Sequence, residues 1–260
     1  MNIEETDDQI IERLKVRFEL LEDMTTACKD GNIRAMIVKG APGVGKSFGV
    51  EKVLNHYETF SILAENSALK KFDIVKGEVS ALGLYCKLYY YRHAKNVVVL
   101  DDSDSIFSDE DALNIAKSAT DTSKRRMLHW NTDSIKLRKE GIPNSFEFKG
   151  SVIFITNVNF DSRSSKFKDH LKALESRSHY LDLTINTERE KMLRIRYLIE
   201  EGMLNDYSLS NSDVADIMDY IEQSKHKLRE LSLRTVIKMA DLRVSFPDNW
   251  KSYASMTLMY

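Results

Sequence analysis

The sequence predicts an α/β fold, a parallel sheet of about five strands covered by helices on both faces, followed by a C-terminal all-α lid. Three observations predict it. Short apolar runs alternate with helix-period segments through the first two thirds of the chain. A glycine-bearing turn joins the first of those runs to the helix after it. No strand signal returns after residue 186.

The elements follow in order. Residues 7–29 place Ile10, Leu14, Phe18, Leu21 and Cys28 at helical spacing, and Gly31 stops the helix. Ile33 to Lys39 is a short apolar run ending at a glycine, hence a buried strand, and a helix over about 45–56 follows. Thr59 to Ala64 reads as a second strand. Val79 to Arg92 is helical, with Val79, Leu82, Cys86 and Tyr89 on one stripe. Val97 to Leu100 is a purely apolar third strand that ends in Asp101 and Asp102. Ser108 to Asp111 has the pattern of a capping box opening a helix. Val152–Thr156 and Tyr180–Ile185 supply the fourth and fifth strands. Beyond residue 186, Thr187 and Glu190 form a second capping-box pattern. Helices are then expected up to Gly202, over about 211–224 on Val214, Ile217, Met218 and Ile221, and over about 232–244 on Leu233, Val236, Ile237 and Ala240. The expected domains are therefore 1–186, including the N-terminal helix 7–29, and 187–260.

Composition narrows the classes. With 42% hydrophobic and 30% charged residues the chain can bury a core and remain soluble. No apolar run approaches the ~18 residues of a membrane span, so no membrane partner is expected. The acidic N-terminus, Met1-Asn2-Ile3-Glu4-Glu5, lacks the basic start of a signal peptide, which points to the cytoplasm. The two cysteines, Cys28 and Cys86, sit in separate helical patterns and read as buried thiols. A net charge of −2 argues against a uniformly basic nucleic-acid coat and leaves room for a local basic patch.

Gly40-Ala41-Pro42-Gly43-Val44-Gly45-Lys46-Ser47 matches G-x-x-x-x-G-K-[ST], a pattern that composition alone yields in roughly one chain in a hundred of this size. It falls between an expected strand and an expected helix, the setting this motif needs. Glycines let the backbone curl so that successive N–H groups point at phosphate oxygens. Lys46 adds a full positive charge near the β and γ phosphates, Ser47 offers a hydroxyl to Mg²⁺, and the following helix directs its positive dipole end at the anion. ATP and Mg²⁺ are the expected cofactors. Asp101, delivered by an apolar strand to the carboxyl edge of the sheet, is the second expected metal ligand, and Asp102 is the residue that orients or deprotonates the attacking water.

These residues resemble the AAA+ class of P-loop ATPases, and the likeness covers nearly the whole chain. Val152-Ile153-Phe154-Ile155-Thr156-Asn157 resembles the sensor 1 strand, which implies that Asn157 helps place the lytic water. Ala173-Leu174-Glu175-Ser176-Arg177-Ser178 is similar to the S-R box of clamp loaders, which implies that Arg177 reaches the ATP of a neighbouring subunit, with Arg163 and Arg126 next in line for that role. Leu231-Ser232-Leu233-Arg234-Thr235 looks like the start of the sensor 2 helix, which implies that Arg234 touches the γ phosphate. A finger acting in trans implies a head-to-tail homo-oligomeric ring, expected as a hexamer. One departure is the Asp101-Asp102 pair, where most AAA+ proteins carry Asp-Glu. The shorter side chain bears on the rate of hydrolysis and not on binding. Superfamily 3 helicases resemble this chain in that pair and in the terminal asparagine.

Two further segments bear on what such a ring acts on. Arg126–Trp130 and Ser145–Phe148 have the pattern of a hairpin whose tip carries Lys136, Arg138 and Lys139, either a nucleic-acid contact or a solvated excursion. Lys70-Lys71-Phe72-Asp73-Ile74-Val75-Lys76-Gly77 lies where AAA+ rings carry a first pore loop, and it reads equally as a strand-to-helix connection with Phe72 and Ile74 turned inward. Small size and the Asp-Asp pair resemble phage-encoded AAA+ proteins, which implies a DNA replication, recombination or packaging ATPase in a host cytoplasm. A protein-remodelling ATPase acting on a protein partner and a nucleotide-gated scaffold with very slow hydrolysis are the other two expectations.

Overall fold

The computed structural model of the chain describes residues 5–65, 71–160 and 165–260. In chain order the elements are α1 (Asp7–Lys29), β1 (Ala35–Lys39), α2 (Lys46–Glu65), β2 (Phe72–Lys76), α3 (Ala81–Tyr90), β3 (Val97–Asp101), α4 (Glu110–Ala119), β4 (Met127–His129), α5 (Ile135–Glu140), β5 (Ser145–Glu147), β6 (Ser151–Thr156), α6 (Ser165–Ser176), β7 (His179–Asp182), α7 (Glu188–Glu200), α8 (Asn211–Ser224), α9 (Leu233–Ser245) and α10 (Trp250–Leu258). Two compact units partition the chain. One comprises Phe18–Gly40 and Lys46–Leu183; the other comprises the first seventeen residues, Ala41–Gly45 and Thr184–Tyr260.

The first unit is built on a five-stranded sheet in the order β2-β3-β6-β1-β7. All four pairings are parallel. The central strands β1, β3 and β6 are almost wholly buried, as expected where helices cover both faces. On one side Leu84, Tyr85 and Leu88 of α3, Leu113 of α4 and Leu171 and Leu174 of α6 pack with Val98, Leu100 and Phe154 of the sheet. On α2, Gly49 lies against Leu21 of α1, so closely that a Cβ there would stand 2.8 Å from Leu21 Cδ2. Cys28 and Cys86 are buried free thiols, and burial pushes Cys28 up to about 12, so it is inert near neutral pH.

Two assignments read from the sequence are overturned. Thr59–Ala64 is not a strand but the continuation of α2, and the edge strand is Phe72–Lys76. The helix after the aspartate pair is capped by Asp109, whose carboxylate accepts from the Asp111 and Ala112 amides, and not by Ser108. The expected hairpin is present: β4 pairs antiparallel with β5, Leu128 opposite Phe146. Its connection holds the short helix α5, closed by Gly141 in the left-handed region at φ +67°.

In the second unit α7 to α10 enclose their own core, including Ile195, Ile217, Ile221, Val236, Met239, Ala240 and Trp250. Ile237 is exposed, and Met239 fills the inner stripe of α9 in its place. The capping box at α7 is formed by Thr187 and Glu190, and α8 has another from Ser210 and Asp213. Arg13 of α1 bonds Glu5 and Glu190, and Arg189 bonds Asp7. Among the described residues no helix is long and apolar enough to cross a membrane.

Candidate functional site

The carboxyl ends of β1, β3 and β6 bring together Lys46, Ser47, Asp101, Asp102 and Asn157. The loop leaving β1 has Gly43 and Gly45 at φ +69° and +101°, a curl that only glycine adopts without strain. It delivers Lys46 to the first turn of α2 with only 6% of its surface exposed. Its ammonium donates to the Gly40 carbonyl at 2.7 Å and to Asn157 Oδ1 at 2.7 Å. The other end of that amide donates from Nδ2 to Asp102 Oδ1 at 3.0 Å. A chain of cation, amide and carboxylate thus links three strand ends.

Ser47 Oγ donates to Asp101 Oδ1 at 2.9 Å. Asp101 is only 4% exposed, and burial raises its carboxyl above the ordinary range, with the Ser47 bond pulling the other way and Asp102 adding to the rise. A buried carboxylate beside a hydroxyl is a set of hard oxygen donors suited to Mg²⁺. Among the described residues no group of three or more His, Cys, Asp or Glu side chains could hold a metal alone, so a cation here would draw further oxygens from elsewhere. The residues fit a magnesium nucleotide in which phosphate supplies them.

Parallel register also brings to the site a residue that the sequence assigns to a pore-loop segment and not to the nucleotide site. Lys76 pairs across the sheet with Asp101, its Nζ 4.0 Å from Asp101 Oδ2 and 2.7 Å from Glu51 Oε1. Its pKa is raised, chiefly by the Glu51 bond. Its signal in the sequence is the end of β2, which lies outside the strand expected at Thr59–Ala64. Asp102 adopts φ +51°, uncommon for a non-glycine residue, and its amide donates to the Ile155 carbonyl at 3.1 Å. Thr156 Oγ1 donates to Asp104 at 2.6 Å, anchoring the end of β6 next to Asn157.

The remaining expected residues are dispersed. Arg177, half-buried just after α6, donates from Nη1 to the Ala173 carbonyl at 2.7 Å and lies 3.7 Å from Asp121 through Nε. Arg234 is exposed on α9, between the buried Ser232 and Thr235. Arg126, an alternative finger, is instead a core residue: Nη1 and Nη2 bind the Ala119 and Gly150 carbonyls at 2.8 Å each. Arg163, the other alternative, and Lys70 lie outside the described residues. Phe72 is 2% exposed within β2, so no aromatic is offered to solvent there, and Lys71 is half-buried beside it. Lys136, Arg138 and Lys139 are exposed on α5, with Lys136 4.0 Å from Glu140 and Arg138 3.3 Å from Asp133.

The five-stranded parallel sheet and its helices form an α/β fold of AAA+ type, with the C-terminal helices in a separate compact unit. No family model matches the sequence. The chain is 34% identical over 257 residues to the uncharacterized 36.7 kDa protein in the nrdC-mobD intergenic region of Enterobacteria phage T4, covering 97% of this chain and 77% of that one, and it belongs to the family of that phage protein. Its fold is similar to domain III of the Thermotoga maritima replication initiation protein DnaA, with a TM-score of 0.50 at 8% identity, over 94% of this chain and 92% of that one. At that identity the likeness concerns the fold alone.

Proposed function

We propose that the chain binds Mg²⁺-ATP at Gly40–Ser47 and hydrolyses it as a homo-oligomeric AAA+ ATPase serving a nucleic-acid transaction. The observation that carries this reading is the convergence of Lys46, Asn157 and Asp102 beside the Ser47–Asp101 pair. In this reading Gly40, Ala41, Pro42, Gly43, Val44 and Gly45 wrap the phosphates with backbone amides, and Lys46 neutralises the β and γ oxygens. Ser47 and Asp101 would hold the magnesium, which supplies electrostatic relief to the phosphate charge. Asp102 takes or orients the proton of the attacking water, and Asn157 holds Asp102 and Lys46 at a fixed separation. Arg177 acts on the ATP of a neighbouring copy and Arg234 on the γ phosphate of its own. The division of labour follows the expected domains, 1–186 for chemistry and 187–260 for the lid.

The hairpin supports the choice of nucleic acid. Its tip exposes Lys136, Arg138 and Lys139, which suit a phosphate backbone, and Lys70 and Lys71 extend the proposed contact. The tip also exposes Ile135, at 64%, and that favours a second reading in which a protein segment is the object. An ATPase assay with single-stranded DNA, duplex DNA, RNA and no polymer, with oligomeric state measured alongside, separates them. Stimulation by a nucleic acid supports the first reading. Activity indifferent to every polymer and raised only by a protein partner supports the second. Turnover that stays very low with either would leave a nucleotide-gated scaffold. The proposed setting is the cytoplasm of a phage-infected host.

A further inference from the structure

The first turn of α9 makes a contact that the roles above do not use. Ser232 holds the N-cap position, where a hydroxyl ordinarily accepts from an amide of the first turn. Here no such bond forms, Ser232 is 6% exposed, and its Oγ has no hydrogen-bond partner among the described residues. What it meets is Gly43. A Cβ built on Gly43 would lie 2.7 Å from Ser232 Cβ and 2.9 Å from its Oγ, with Glu230 Oε1 at 3.1 Å. Beside this contact the Leu233 N–H donates to the Gly43 carbonyl at 3.1 Å. Glycine at position 43 is demanded twice, once by the curl of the loop and once by what packs against it. The demand comes from the approach of Ser232 and from the φ of +69°.

We infer that Ser232 is a positioning residue of the phosphate loop: its side chain and the Leu233 amide fix the Gly43 peptide, and with it the direction in which the following loop amides point. The inference rests on the reading of Gly40–Ser47 as a phosphate site and adds the residue that sets the shape of that loop. The hydroxyl is dispensable to this role; the space between Ser232 and Gly43 is not. Ser232→Val fills that space and leaves the Gly43 φ untouched, whereas Ser232→Ala keeps it open. Gly43→Ala fills the space from the loop side, and Ser232→Gly in that background reopens it.

The test uses the full chain, a fluorescent ATP analogue with Mg²⁺, and hydrogen exchange at the Leu233 amide. Ser232→Val is expected to weaken nucleotide affinity by about tenfold or more, the usual scale of a forced steric overlap. Ser232→Ala is expected to stay within about twofold. Ser232→Gly is expected to recover part of the Gly43→Ala loss, and Leu233 exchange should slow on adding Mg²⁺-ATP in the unaltered chain but not in Ser232→Val. If Lys46→Ala abolishes binding while Ser232→Val and Gly43→Ala bind normally, Ser232 has no positioning role and the phosphate site stands. If Lys46→Ala binds normally, the phosphate-site reading itself is lost. Should Ser232→Val fail to fold, the Gly43→Ala and Ser232→Gly pair decides, and absence of any recovery overturns the inference.

Discussion

Lys46 and Asn157 share a hydrogen bond of 2.7 Å, the ammonium donating to the amide oxygen. The nitrogen of the same amide donates to Asp102 at 3.0 Å. An amide carries its acceptor and its donors on separate atoms, so Asn157 can accept from the cation through Oδ1 and donate to the carboxylate through Nδ2 at once. The relation ties the end of β6 to the phosphate lysine and to the proposed base in one step.

Asn157→Ala removes both bonds and leaves Asp102 without its tether. Turnover is expected to fall by about a hundredfold, in line with loss of a single preorganised donor, while ATP affinity shifts far less. Steady-state kinetics beside a binding titration measure the split, and unaltered turnover would remove Asn157 from the chemistry.

Arg177 now caps its own helix through the Ala173 carbonyl. As a finger acting in trans it would leave that carbonyl for a neighbour's nucleotide. Arg177→Ala should preserve binding and self-association and lower turnover by about a thousandfold. Mixing it with Lys46→Ala should restore part of the activity, because each copy supplies what the other lacks. A mixture as inactive as its components would argue against action between subunits.

Glu190 contributes to the pH dependence of the helical unit. Burial alone would raise its carboxyl, but bonds from Arg13, the Thr187 and Asn186 amides and the Thr187 hydroxyl outweigh it and bring the group down to about 2. A carboxyl depressed by folding stabilises above its unfolded pKa of about 4.3, and that stability is lost as pH falls toward 2. Glu190→Gln should therefore cost about 1–3 kcal/mol at neutral pH, with the gap from the unaltered chain closing through that acid window. Denaturant unfolding at several pH values gives the comparison; a gap constant down to the acid end would contradict the assignment.

The α5 cations should show themselves in salt dependence. Lys136, Arg138 and Lys139 replaced together by alanine should weaken single-stranded DNA binding and reduce the log–log salt slope by about two, the share of three backbone contacts. An unchanged slope would place any DNA contact elsewhere.

Much of this was legible in the sequence for reasons that differ by element. The strands β1, β3 and β6 are apolar along their middles because they are covered on both faces, and such runs announce themselves. The hairpin was readable because Leu128 and Phe146 mark its inner face. Thr59–Ala64 misled because β-branched and aromatic residues there suggest a strand, yet α2 simply continues through them. That error displaced β2 and concealed Lys76, which only register places next to Asp101. The site motifs gave Lys46, Ser47 and Asp101 directly, whereas the Lys46–Asn157–Asp102 chain spans three strands and has no signature in linear sequence.

Everything proposed above requires that Lys46, Ser47 and Asp101 together hold a magnesium triphosphate. Isothermal titration of Mg²⁺-ATP into the unaltered chain and into Lys46→Ala addresses it most directly. Binding is expected in the first and a loss of at least about tenfold in the second, since the substitution removes the buried ammonium proposed to meet the phosphates. No binding by the unaltered chain, or equal binding by both, would contradict it.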